Sequence, residues 1–281
     1  MGYQLSPGVQ WKEIDLTTIV PSLSTTAGGF VGDFNWGPVN QIFTVSNELD
    51  LVRWFGKPDS STFTSFFTAA NFLNYGQNLQ LVRSADLSKA NNATSGTKNI
   101  VITNQNSYEL NYMNMEADAE VGLFAARYPG ELGNSLKVSM CASNTSADFA
   151  SWDYKDNFNG RPGTSVFAEN VGGLNDEMHI IIVDTLGKFS AAPNTVLERY
   201  SYVSKASDAK NDDGSSNYYV NVINDRSEYI YIMNHADDSW GVPAANNTFA
   251  ADGIVETDQL SMGTNGTPTE GNITDSYDLF N

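Results

Sequence analysis

The sequence predicts an α+β chain in three parts: an extended arm, an α/β-type half-layer and a β-rich domain. Three observations carry that expectation. The start of the chain is rich in β-branched side chains and has no helical spacing of apolar ones. Residues 28–85 then follow the order strand, helix, helix, strand. Beyond Asp86, short alternating runs recur between clusters of Gly, Asn and Asp.

The arm is "SPGVQWKEIDLTTIVPSLST", residues 6–25. A Pro-Gly turn opens it, and Val9, Ile14, Thr17, Thr18, Ile19 and Val20 favour extended backbone. Lys12, Glu13 and Asp15 interrupt the one apolar run that a signal peptide or membrane span would need. Its polar/apolar alternation is imperfect, so the stretch reads as an arm that pairs with something else.

The segment "TTAGGFVGDFNWGPVNQIFTV" holds two short apolar runs separated by glycines and a Gly-Pro turn. In "SNELDLVRWFG", residues 46–56, Ser46 or Asn47 caps a helix and Glu48 and Asp50 suit its first turn. Leu51, Trp54 and Phe55 give that helix an apolar face, and Gly56 and Pro58 stop it. A second helix fits "STFTSFFTAANFLNYG", with Phe63, Phe66, Phe67, Ala70 and Leu73 as the expected buried stripe and Gly76 as its end. "NLQLVRSA" reads as the closing strand.

A polar connector, "LSKANNATSGTK", follows. The runs "NIVIT", "VGLFAARYPG", "SLKVSMC", "TSVFAENV", "MHIIIVDT", "LERYSYVS" and "EYIYIMN" then read as strands, separated by turns such as "FNGRPG" and "KNDDGSS". Many short strands of this kind predict a sandwich or barrel. "NYYVNVIND" fits a helix or a strand. At the end, Thr274 or Asp275 caps a helix that stops before two turns. A helix that short does not hold itself, so the chain reads as the amino-terminal part of something longer.

Composition narrows the function. The chain has 281 residues, 41% hydrophobic and 17% charged, with a net charge of -18. An acidic chain repels phosphate, which argues against direct nucleic-acid binding. From Asp208 to Asn281 there are thirteen Asp/Glu against two basic residues, as expected of a solvated outer surface. The single cysteine, Cys141, excludes an intramolecular disulfide and reads as a small core residue at a strand end. His179 and His235 are far apart and sit in no catalytic or metal motif.

The remaining motifs are weak. "GGFVG" lacks the spacing and the Lys-Ser/Thr of a phosphate loop. "NDDGSS" lacks the spaced ligands of a calcium loop. Asn-x-Ser/Thr triplets at Asn92, Asn144, Asn246 and Asn272 are chance matches in an Asn- and Thr-rich chain. No catalytic, cofactor-binding or metal residue is assigned, no cofactor is expected, and the chain reads as a non-enzyme.

Three stretches taken in order resemble the tail sheath proteins of contractile-tailed bacteriophages of the myovirus type. The first combines "LSPGVQWKEIDLTT" with "GGFVGDFNWGPVNQIFTVSNELDLVRWFGKP" and "NFLNYGQNLQLVR". The second is "RYPGELGNSLKVSM", whose family-motif turn is Tyr128, Pro129, Gly130, Gly133 and Asn134. The third is "LERYSYVSKASDAKNDDGSSNYYVNVINDRSEYIYI". The resemblance covers most of residues 5–235.

This resemblance implies an α/β-type inner core half with an inserted β-rich (barrel-like) protruding domain and an extended amino-terminal arm. Residues 1–23 would be the arm, adding a strand to a neighbouring subunit through Val9, Trp11, Ile14, Leu16 and Ile19. Residues 24–86 would be the first half of the inner core, 87–255 the insertion, and 256–281 a truncated return. There are two departures from the family pattern. The long carboxy-terminal half of the core is missing, and the extra outermost domain that large relatives carry between positions equivalent to Asp86 and Arg127 is absent or reduced to a few strands.

The implied function is structural: copies stack as rings, hexameric in the family, around a tail tube and contract to drive it through the host envelope. The implied partners are other copies of itself, the tail tube protein, and baseplate and neck proteins, with no direct nucleic acid and no membrane insertion. The implied location is the virion, after assembly in the host cytoplasm. Rival readings are the sheath of a phage-derived injection particle (a tailocin or secretion system), a β-rich adhesin or carbohydrate-binding module using "SYVS" and "SWGV", and a hydrolase.

Overall fold

The computed structural model describes residues 27–113, 118–251 and 255–281. The arm expected over residues 1–23, with Val9, Trp11, Ile14, Leu16 and Ile19, lies outside the described residues.

Strand β1 (Ala27–Gly32) and strand β2 (Ile42–Val45) precede helix α1 (Glu48–Phe55), helix α2 (Phe63–Leu73) and strand β3 (Asn78–Arg83). The sheet order is β1-β3-β2, with β1 parallel and β2 antiparallel to β3. The two helices form the crossover that a parallel pair requires. The α/β half-layer read from the sequence is therefore present.

Asn47 caps α1, its side chain accepting the Asp50 N–H, and the helix buries Leu51 and Phe55. α2 departs from expectation. It buries Phe66, Ala69 and Ala70, while Phe63 and Phe67 of the expected stripe face outward. The helix is apolar on nearly every side, so sequence periodicity cannot choose its buried face. Packing chooses it: a Cβ on Gly28 of β1 would lie 2.7 Å from the Phe72 ring, so the missing side chain lets the helix seat there.

Beyond the half-layer come α3 (Gln105–Asn111), β4 (Phe124–Ala126), β5 (Leu136–Cys141), α4 (Ser146–Ser151), α5 (Val166–Asn170), β6 (Glu177–Asp184), β7 (Thr195–Ser204), α6 (Tyr219–Arg226), β8 (Ile230–Ile232), β9 (Val255–Gln259) and α7 (Glu270–Tyr277). β7-β6-β5-β9 form a four-stranded antiparallel sheet, and β4 pairs with β8. The chain is thus a mixed α+β fold.

The β-rich part departs from the barrel-like expectation: among the described residues neither of its sheets closes. Closure is unnecessary because both faces of the larger sheet are covered. Val138, Met140, Ile180 and Ile182 pack on one side with Val222, Ile223 and Ile230. Cys141, Ile181 and Val183 pack on the other with Trp152 and Phe158. Cys141 is accordingly buried at the end of β5.

Local readings are corrected too. "NIVIT" is not a strand: Ile100 and Ile102 are buried in irregular chain, and the Asn92 side chain accepts the Ile102 N–H as a strand partner would. "TSVFAENV" forms α5, capped by Ser165. "NYYVNVIND" is resolved as helix by α6. The closing helix starts earlier than read, with Thr269 and Asn272 forming a capping box.

Two connectors link the parts. Residues 86–94 run antiparallel to residues 261–266, with Asp86 N–H bonded to Gly266 O at 3.0 Å and Thr94 and Ser261 exchanging backbone bonds at 2.9 Å. β9 lies beside β5, so residues 255 and 256, where a boundary was expected, both belong to a strand of the four-stranded sheet. After the connector, α7 returns to the three-stranded sheet, where Phe280 sits against Gly29.

Candidate functional site

Among the described residues, the half-layer and the β-rich part converge at the joint between the three-stranded and four-stranded sheets. On the inner side it begins with "FNWGP". Trp36 donates its N–H to Phe55 O at 3.2 Å, which ties it to the end of α1. The ring is buried within the outer core cluster, edge-on to Tyr128 at 5.4 Å and to Phe189 at 5.0 Å. Phe189 in turn meets Tyr229 at 5.1 Å. Burying an indole of roughly 200 Å² at about 25 cal/mol per Å² contributes about 5 kcal/mol before entropy is counted.

Arg83 ends β3 and is fully buried. It donates from Nη1 to Gly37 O at 2.9 Å and from Nη2 to Pro129 O at 2.8 Å, one carbonyl on each side of the joint. Burial lowers its pKa to about 10, so it remains a cation. Asp33 supplies a nearby negative charge. Burial raises the Asp33 carboxyl to about 6, with Arg83 opposing that shift.

The structure brings the five residues of the family-motif turn together here. Tyr128 meets Trp36 edge-on. Pro129 accepts from Arg83. Gly130 has φ +144 and donates to Asn91 O, and a Cβ on it would lie 2.9 Å from Asn35 O. Gly133 rests against the connectors, where a Cβ would come within 2.8 Å of Ala93. Asn134 and Gly263 exchange hydrogen bonds at 2.9 and 2.7 Å. Only glycine meets the backbone demands at Gly130, and only the smallest residue fits at Gly133.

A third contact lies on the surface. Arg53 of α1 makes a two-toothed ion pair with Glu228, just before β8. Arg127 braces the outer side, bonding Asn224 O, Ser227 O and Gln105 while its guanidinium lies 4.6 Å from the Tyr231 ring centre.

Sequence reasoning found the turn but missed Trp36, Arg83, Phe189 and Glu228. Only Arg83 carried a signal, as a charge at the end of an apolar strand.

The joint is built from packed rings and buried hydrogen bonds. His179 is buried, donating from Nε2 to Gly160 O at 2.8 Å and accepting the Tyr202 N–H at Nδ1, and burial lowers its pKa. His235 pairs with the Tyr219 hydroxyl. Among the described residues, no three His, Cys, Asp or Glu side chains are grouped to hold a metal, and no helix is long and apolar enough to cross a membrane. The "SWGV" aromatic that could stack a sugar, Trp240, is buried beneath Tyr219 and Lys205.

Comparison with known proteins gives a consistent picture. Residues 25–83 match the family described as tail sheath protein Gp18 domain III, N-terminal region. The tail sheath protein of Salmonella phage ViI is 31% identical over 195 residues, which cover 69% of this chain and 28% of that protein. The tail sheath protein of Vibrio phage KVP40 is 48% identical over 90 residues, 32% of this chain and 13% of that one. That of Enterobacteria phage T4 is 42% identical over 99 residues, 35% of this chain and 15% of that one. The crystal structure of a sheath tail protein from Listeria innocua aligns over 90% of this chain and 38% of its own, with 11% identity and a TM-score of 0.43. The chain spans less than a third of the length of the curated relatives it matches.

Proposed function

We propose that this chain, a relative of the contractile phage tail sheath proteins, is a structural subunit of such a sheath. Its copies stack as hexameric rings around a tail tube and shorten to drive the tube through the host envelope. One observation carries the reading: the similarity to the ViI tail sheath protein extends over 195 residues, well beyond the segment that matches the family.

On this reading residues 1–23 are the arm that pairs with a neighbour through Val9, Trp11, Ile14, Leu16 and Ile19. Residues 24–86 are half of the inner core. The β-rich segment protrudes as an insertion, and the chain returns to the core through α7. The joint at Trp36, Arg83 and the 128–134 turn supports rigid-body movement of each subunit, because a packed interface shifts as a unit rather than bending. The energy comes from a metastable extended lattice, so no nucleotide site or cofactor is required. Further partners are the tail tube, baseplate and neck proteins. Assembly takes place in the host cytoplasm and the product is part of the virion.

The phage reading is preferred to an injection particle because the curated relatives named here are phage proteins. Immunogold electron microscopy with an antibody raised against this chain tests the proposal. Label along the outer wall of contractile tails is expected. Label confined to fibres, capsids or free protein would sink it.

A further inference from the structure

We infer that the outward face of α2 is the surface on which one copy of this chain packs against the next. The inference rests on the sheath reading, which requires copies to touch, and deepens it by naming where.

From Ser60 to Val82 the sequence has no charged residue, in a chain carrying 33 acidic and 15 basic ones. Within that stretch Phe63 is 53% exposed, Phe67 51% and Tyr75, just past the helix, 91%. Thr64, Thr68 and Asn71 complete the exposed face. At roughly 200 Å² per aromatic side chain, these three leave about 400 Å² of ring surface in water, half of the roughly 800 Å² that each partner of a stable complex buries. A patch of that size matches the largest that a typical monomer exposes, and such patches are often functional. Among the described residues, the face is left exposed. α2 lies over Gly28 of β1, whereas Phe280, beyond α7, meets the neighbouring Gly29, whose side of the strand is the opposite one.

Some other exposed apolar residues sit close to charges in the sequence. Leu49 lies between Glu48 and Asp50, Leu110 follows Glu109, and Leu186 lies between Asp184 and Lys188.

Charge identifies the occupant as a second copy. Each copy carries -18, so two copies repel wherever their acidic surfaces meet. A neutral apolar face is where they approach without that cost. A basic partner would gain nothing there and would be drawn to the acidic surface instead.

Sedimentation of the 281-residue chain over a range of concentrations tests the face. Reversible self-association is expected, weakened about tenfold or more by Phe63→Gln with Phe67→Gln, as for removal of interface anchors. Circular dichroism should show the fold retained. Thr68→Glu keeps the aromatics and places like charges across the contact, so it should weaken association even if the double variant folds poorly. Leu110→Gln, on α3, should leave it unchanged. A chain that stays monomeric throughout, or α2 variants that associate as the wild type does, would overturn the inference. Immunogold labelling of sheaths alongside insensitive association would reject this face and leave the sheath reading standing. Absence of label on sheaths would reject the reading itself.

Discussion

At the scale of single residues, the joint depends on one buried cation and the carboxyl beside it. Burial pushes Asp33 up from 3.8 to about 6, and Arg83 recovers only part of that penalty. The folded state therefore favours the protonated acid. Below pH 4 the group is protonated both folded and unfolded. As pH rises through 6 the folded protein must carry a charge that the unfolded chain keeps in water, and stability falls. Allowing for partial solvent access, the loss between pH 5 and 7.5 is about 1 kcal/mol or less. Asp33→Asn should abolish that slope: the variant should match the wild type at low pH, where Asp33 is neutral, and gain on it as pH rises through 6. His179 and His235, whose pKa values burial lowers, slope the opposite way in both proteins and cancel in the comparison. Urea denaturation of both proteins at the two pH values checks this; parallel pH profiles would refute the assignment.

At the scale of elements, one loop shows how a side chain far from the joint controls it. Asp184, at the end of β6, accepts from the Ser135 hydroxyl, from the Lys188, Phe189 and Ser190 N–H groups at 2.8–3.0 Å, and from the Ser190 hydroxyl. Burial alone would raise its pKa. These donors outweigh it and hold the carboxyl below the usual range. The tightened loop presents Phe189 to Trp36. Asp184→Ala leaves three N–H groups without their acceptor and should cost about 3 kcal/mol. Amide exchange at residues 188–190 should accelerate well beyond the rest of the sheet. Unchanged exchange there would mean that the loop holds its shape without the carboxylate.

At the scale of the whole molecule, the outer sheet is held by two connectors, a buried aromatic joint and the Arg53–Glu228 pair. The pair is surface-exposed and contributes about 1 kcal/mol or less. Trp36 matters more, since it projects from the inner part into the outer core. Trp36→Ala should destabilise the chain by about 3–5 kcal/mol. Because the connectors remain paired, it should also loosen the two parts relative to each other. Limited proteolysis should then cut within residues 86–94 or 261–266 before either sheet unfolds. A single cooperative loss of both sheets with no early cut would show that the joint does not depend on Trp36.

The sequence by itself determined the half-layer and its order, because Asn47, Gly56 and the apolar spacing of Leu51 and Phe55 act through local backbone chemistry. The 128–134 turn was marked by its resemblance to a family motif, and the backbone demands at Gly130 and Gly133 emerged only in the folded chain. The tertiary structure decided the rest. α2 is apolar nearly all round, and only packing against β1, β3 and α1 fixed its rotation. "NIVIT" has strand composition, but it lies in irregular chain where Asn92 takes the place of a ladder partner. The joint was illegible for the same reason: Trp36, Arg83, Phe189 and Glu228 are separated by 39 to 192 positions. Nothing local distinguishes them until folding makes them neighbours.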